Sequence, residues 1–258
     1  MATSFKALNN NDVTRAQTKL HEAIPVTGTI LSGTYSENNI KNYSHGMFQS
    51  VYDYPYLSSS ANHIFDLTAG WATDSSLSSS SGVTLRNKKN DIYNEMSQML
   101  AGYDPTGSIN KLEVSGNFGS TSAVGPMNEV LVFNFARLLT KDEIQKQVSG
   151  FTITLGVSSS YDTPFAKTMN VYDIDGPNAK TNSPAGEFNI LYATSSAGTA
   201  NNRPCGLIFY QAGVAVITSS VFKDDFVEDC HMTVASASID SLLVSGSISG
   251  SADALRHR

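Results

Sequence analysis

Charge is scarce in this chain. Asp, Glu, Lys and Arg make up 16% of its 258 residues, against about 25% in an average soluble domain. Ser, Thr, Asn and Gly fill the polar share instead, and these suit strands and turns better than exposed helices, so a β-rich fold is expected. Basic residues are also dispersed. With a net charge of -6 and no Lys/Arg cluster longer than Arg86 to Lys89, the chain has no electrostatic footprint for a polyanion, and no direct nucleic-acid partner is expected. Cysteine is nearly missing: Cys205 and Cys230 are too few for a disulfide framework and show no CxxC spacing, so both are expected to be reduced packing groups. Long apolar runs are absent. No stretch approaches the roughly 18 apolar residues of a membrane span, and the opening MATSFKALNNNDVTRAQ lacks a basic region followed by an apolar one. The product is expected in a cytoplasm, or in a particle assembled there, with no membrane partner.

The shortages extend to chemistry. The histidines are His21, His45, His63, His231 and His257, and no two have the i, i+4 or HxH spacing that lets one element offer two metal ligands. Cys230 and His231 are adjacent, which on a strand points them to opposite faces. The string closest to a nucleophile elbow, GSISG at 246–250, has Ile at the position that GxSxG gives to Ser. Neither GYDPTGS nor SGNFGS matches GxxxxGK[ST] or GxGxxG, which leaves nucleotide binding without support. Asp173 and Asp175 stand together, as do Asp224 and Asp225, but DIDGPNAK lacks the further ligands of an EF-hand loop and reads as a turn. No enzyme activity, metal, cofactor or small-molecule ligand is expected.

What is present is a succession of strand patterns. NEVLVFNFARLL, FTITLGV, TMNVYDI and EFNILYAT run apolar or alternate at strand length between Gly, Pro, Asn and Ser clusters. GLIFYQAGVAVITSSVF reads as a hairpin turning at Ala212 and Gly213. Helical spacing is confined to three places. Val13, Ala16, Leu20 and Ile24 precede Pro25, with Asn11 or Asp12 as a cap. Ile92, Met96, Met99 and Leu100 form an apolar stripe starting after Asn90 or Asp91 and stopping at Gly102. Thr140 and Glu143 have capping-box spacing for a short helix through Ile144 and Val148. The serine-rich stretch at 74–82 is expected to be an exposed loop.

These patterns predict an α+β, β-rich fold: an antiparallel sandwich or barrel-like sheet with two or three short helices and an extended C-terminal segment. Three regions are expected: a mixed N-terminal one over 1–125 holding an aromatic extended segment, an antiparallel β domain over 126–222, and a glycine- and serine-rich segment over 223–258. The last has Ile239, Leu242, Leu243, Val244 and Ile248 as sparse anchors and ends abruptly on Arg256, His257 and Arg258, as a truncated chain would.

One stretch, SHGMFQSVYDYPYLSSSANH at 44–63, is dense in aromatics and histidine. Tyr52, Tyr54 and Tyr56 alternate with Asp53 and Pro55, so an extended chain presents all three on one face. Such a stripe suits packing or a partner surface rather than catalysis. Tyr52, Tyr54, Tyr56, Trp71, Ile239, Leu243 and Ile248 are the candidate partner contacts, with Trp71 placed near the surface where it could stack on a sugar.

The strings MATSFKALNNNDVTRAQTKLHEAIPVTGTI, NYSHGMFQSVYDYPYLSSSANHIFDLTAGW, FNFARLLTKDEI, NSPAGEF and GLIFYQAGVAVITSSVF together resemble a family of virion structural proteins from contractile-tailed marine phages, the myoviruses of cyanobacteria and related hosts. The resemblance runs along nearly the whole chain in colinear order. It implies a virion component assembled in the host cytoplasm, placed in the tail or baseplate, with other virion proteins and copies of itself as partners. It carries no catalytic residues, and it implies a further β-rich region after SGSISGSADALRHR. The alternatives are a receptor- or carbohydrate-binding tail module and a head or neck component.

Overall fold

A computed structural model describes residues 40–43, 47–52, 56–57, 59, 61–80, 83–118, 126–135, 150–156, 168–178, 181–195 and 202–222. The helix expected before Pro25, the Thr140 to Val148 helix and the 223–258 segment lie outside them. Within them, ten strands form one sheet: β1 (Ile40–Asn42), β2 (Gln49–Tyr52), β3 (His63–Trp71), β4 (Glu129–Phe135), β5 (Thr152–Gly156), β6 (Thr168–Asp173), β7 (Thr181–Ser183), β8 (Gly186–Ser195), β9 (Arg203–Phe209) and β10 (Val214–Thr218). Their order is β1-β2-β3-β4-β10-β9-β8-β6-β5, with β7 on β8, and every pairing is antiparallel. The β-rich antiparallel character read from composition and strand patterns is what the chain adopts. Strands on both sides of residue 126 belong to this one sheet, because β3 pairs with β4 from Phe65↔Phe135 to Trp71↔Glu129.

Burial explains which strands read as apolar runs and which alternate. β10 is buried at all five positions and β4 at four consecutive ones, because both faces of the sheet centre are covered. β6 lies nearer an edge and alternates strictly. One face collects Leu67, Ala69, Trp71, Leu131, Phe133, Leu155, Met169, Val171, Leu191, Ile208, Ala215 and Ile217. Phe65 of β3 and Ile153 of β5 pack into that same cluster, although their strands lie six places apart in the sheet order. The sheet therefore curls into a half-barrel with this face inside, and Phe135 meets Phe151 across it at 5.2 Å, edge to face.

The convex face is covered by α2 (Val83–Leu100) and the segment after it. Helix and sheet approach closely at Gly70, where an added Cβ would lie 2.9 Å from the Tyr93 amide nitrogen and 3.0 Å from the Lys89 carbonyl oxygen. The helix stops at Gly102, as expected, with φ of 74° and the amides of Ala101 and Gly102 both on the Ser97 carbonyl. It starts earlier than expected, so Asn90 and Asp91 are interior residues rather than caps. Met99 is a second correction: it sits at the edge of the buried stripe and is 43% exposed, whereas Lys89 and Tyr93 are buried. The 74–82 loop is a third. Ser76–Ser80 forms a short helix, α1, with Ser75, Leu77 and Ser78 buried. The Ser75 hydroxyl binds the Glu129 carboxylate and accepts the Leu77 amide, so serines supply this turn's capping bonds.

The β9–β10 hairpin turns through Tyr210–Gly213 as expected, closed by Gly213 N–H to the Phe209 carbonyl at 2.9 Å. One irregularity was not legible in sequence. Leu191 pairs with Gly206 but Tyr192 with Pro204, which leaves Cys205 as an extra residue in β9. Its thiol is buried in the concave core, and burial pushes its pKa up, so it packs as an apolar group. Cys230 lies outside the described residues.

Candidate functional site

The aromatic-rich stretch builds β2 and the start of β3. Register between them shifts after Val51, since Val51 pairs with Phe65 and Tyr52 with His63. Ile64 is the extra residue of this bulge, and it returns His63 to the face that Asp66 shares with Ser50. The Ser50 hydroxyl donates to Asp66 Oδ1 at 2.5 Å, His63 Nε2 meets the same oxygen at 2.8 Å, and the Tyr43 hydroxyl lies 3.1 Å from Ser50 Oγ. Aromatic rings surround this cluster. Tyr43 packs on Phe48 at 4.8 Å, His63 meets Tyr52 edge-on at 5.5 Å, and Tyr52 lies 6.3 Å from Tyr56. The His63 and Asp66 side chains are 31% and 28% exposed, so the cluster reaches the surface while most of its mass is supported from beneath.

The order of these groups matters chemically. A hydrolytic relay places imidazole between hydroxyl and carboxylate, so that one ring nitrogen takes the hydroxyl proton. Here the carboxylate stands between serine and imidazole. The Ser50 proton is directed to Asp66, and among the described residues His63 has no contact that would activate the hydroxyl. What the arrangement does is lock side chains of β2 and β3 in place, giving a firm aromatic surface.

Tyr52 and Tyr56 of the expected stripe are brought together here and are half-buried. Tyr54, Ile239, Leu243 and Ile248 lie outside the described residues, as do His21, His45, His231 and His257. Trp71 needs correction. It is fully buried in the concave core, because β3 runs under α1 at that end, so its ring is not available for stacking on a ligand. Ser50 and Asp66 were not singled out by sequence reasoning, and no spacing rule could have found them, since the bulge that unites them with His63 has no sequence signature here.

A second polar group is wholly internal. Asp173, at the end of β6, is buried on the concave face and accepts the Tyr210 hydroxyl at 2.7 Å on one oxygen and the Phe151 amide at 3.0 Å on the other. Burial raises its pKa, and the two hydrogen bonds offset part of that; burial and then Asp173 raise the Tyr210 phenol in turn. One carboxyl thus ties the entry to β5 and the ends of β6 and β9, a structural role that the turn reading of DIDGPNAK did not anticipate. Tyr210→Phe is expected to cost about 1–3 kcal/mol, the penalty for a buried acceptor losing its donor. Denaturant titration should show the larger loss at pH 8, where the carboxylate is charged, than at pH 4, where protonation lessens its need for a donor.

Among the described residues no group of three or more His, Cys, Asp or Glu side chains could hold a metal ion, and no helix is long and apolar enough to cross a membrane. No family model, curated protein or solved structure matches the chain.

Proposed function

We propose that this chain is a structural protein of a phage virion, a component of the tail or baseplate that acts through protein–protein contacts with other virion proteins and with copies of itself. The observation that carries this reading is the aromatic cluster of Tyr43, Tyr52, Tyr56 and His63, in which His63 is tied to Asp66 and the Tyr43 hydroxyl to Ser50, an order that does not suit catalysis. Rigid aromatics with hydroxyl handles supply large contact area at low entropic cost, which is what an assembly surface needs. Similarity of the long colinear strings to virion proteins points the same way.

The C-terminal segment has a part in this proposal. Ile239 to Ile248 combines sparse apolar anchors with small residues and suits addition as a strand to a neighbour's sheet edge. Hydrogen exchange on isolated chains is the check: protection of 239–248 equal to that of the β9–β10 hairpin would remove the arm from the reading.

Antibody labelling of intact contractile-tailed particles, viewed by electron microscopy, tests the main proposal. Label at the distal tail end is the expected result. Label at the head or neck would keep the structural role and change its address, and protein found in infected cells but never in particles would overturn it. The receptor- or carbohydrate-binding alternative is weakened by the burial of Trp71.

A further inference from the structure

Both β6 and β7 pair with the same edge of β8, and between them that edge is left open. Thr181 of β7 pairs with Phe188, and Asp173 of β6 with Leu191; Asn189 and Ile190 lie in the gap. The chain from Ile174 to Asn178 passes around this break, and a cavity of about 330 Å³ opens there, lined by Ser115, Asp175, Asn178, Thr181, Phe188 and Ile190 among others. Its volume falls at the lower end of binding pockets.

The sign of the cavity's preference can be read from its groups. The Ile190 amide, which the gap would otherwise leave as a donor for an anion, is taken at 2.8 Å by the side-chain carbonyl of Asn189. Among the described residues no Lys or Arg lines the cavity, while Asp175 contributes a carboxylate, Thr181 and Ser115 hydroxyls, and Asn178 an amide. Burial raises the pKa of Tyr192, and the Asp175 charge raises it further. The same charge adds to the upward shifts at Tyr210 and Asp173. Phe188 and Ile190 offer an apolar wall along which an aliphatic stem could lie.

We propose that this gap in the sheet is a socket for a lysine or arginine side chain presented by a partner protein. The stem lies on Ile190 and the cationic head meets Asp175, with Thr181 and Asn178 as further acceptors. The identity of the occupant as a partner's side chain rests on the assembly reading; the cation preference rests on the cavity alone.

Two measurements test it. Amide NMR shifts of Asn178, Thr181 and Ile190 are followed as the protein is titrated with n-butylammonium, ethylguanidinium and, as a neutral control, n-butanol. The titration is run on a Lys180→Ala background, which removes the lysine that precedes Thr181 in sequence. Saturable shifts with the cations, absent with butanol and weakened at least tenfold in Asp175→Asn, are expected. An equal response to butanol, no saturable response, or unchanged binding by an Asp175→Asn chain with an otherwise wild-type spectrum would overturn the socket. In the second measurement, incorporation of Asp175→Asn chains into particles is expected to fall at least tenfold, with Asp91→Asn on the exposed side of α2 as the unaffected control. Cation binding with normal incorporation would show a small free amine to be the occupant and overturn the partner. Loss of the socket with particle labelling intact would leave the assembly reading standing.

Discussion

Gly206→Ala is expected to destabilise the protein by about 3 kcal/mol or more, the upper part of the range for overpacked cores. An added Cβ at this position would lie 2.2 Å from the Val216 carbonyl oxygen and 3.0 Å from the Ile217 Cα. Both are backbone atoms of the neighbouring strand, so no side chain can rotate away. Nor can β10 retreat easily, since it pairs with β4 along Val214 to Thr218 on its other side and all its side chains are buried. The regular β9–β10 register, running from Val214↔Phe209 to Ile217↔Gly206, adds to the constraint by holding Gly206 opposite Ile217. Urea denaturation should show a lowered midpoint with an unchanged slope, which separates lost stability from a changed denatured state. A midpoint within error of the parent would mean that β9 and β10 are not packed as closely as this geometry requires.

Lys89→Met is expected to act in the opposite direction, stabilising the chain at pH 7 by roughly 3 kcal/mol. Lys89 lies on the sheet-facing stripe of α2, 2% exposed, with its ammonium nitrogen buried and without a hydrogen-bond partner among the described residues. Carboxylates on the neighbouring elements are engaged elsewhere: Asp66 with Ser50 and His63, Glu129 with Ser75, and Asp74 with Lys111. Burial alone therefore lowers the Lys89 pKa from 10.5 to about 7. At ~1.4 kcal/mol per pH unit that gap would amount to roughly 5 kcal/mol, part of which local rearrangement of the helix absorbs.

The pH dependence follows with a definite sign. Between about pH 7 and pH 10.5 the unfolded chain holds a proton on Lys89 that the folded chain has released, so stability rises with pH through this window. Below it both states are protonated and the penalty is complete; above it both are neutral and the penalty is gone. Methionine keeps the length and most of the apolar volume of lysine and carries no charge. Its variant should therefore lose this rise as well as gain stability at pH 7. Equal stability of the two chains at pH 7, or parallel pH curves, would show that Lys89 reaches water or a counter-charge when folded.

The strands were largely legible, for a simple reason. β4, β9 and β10 each carry a continuous apolar run of strand length, β5, β6 and β8 mix apolar and polar residues in strand-length patterns, and Gly or Asn between them marks the turns. Helices were harder to read. α2 was found through Ile92 and Leu100, but its first turns carry Arg86, Lys88 and Lys89, which disguised a buried face as a charged one. α1 was hidden by composition, because its serines satisfy one another's backbone and Glu129 without any apolar periodicity beyond Leu77. At the candidate site, the proximity of Tyr52 and Tyr56 could be anticipated from their spacing, whereas Ser50, His63 and Asp66 are drawn together by a bulge. Trp71 was misplaced because an aromatic residue at the end of a strand reads the same whether a helix covers that end or not.

Sequence alone determined the class of this protein. Low charge, strand-length apolar runs and glycine-marked turns require an antiparallel sheet, because each run must bury a face and only short connections lie between the later ones. Tertiary structure decided the rest. Whether two faces form a sandwich or one sheet curls upon itself depends on Phe65, Phe135, Phe151 and Ile153 meeting across the concave side, and such contacts join residues far apart in the chain. The same holds for the buried amine of Lys89, the carboxyl of Asp173 shared by three strands, and the open gap along β8. Each is created by the packing of distant segments, which local periodicity does not encode.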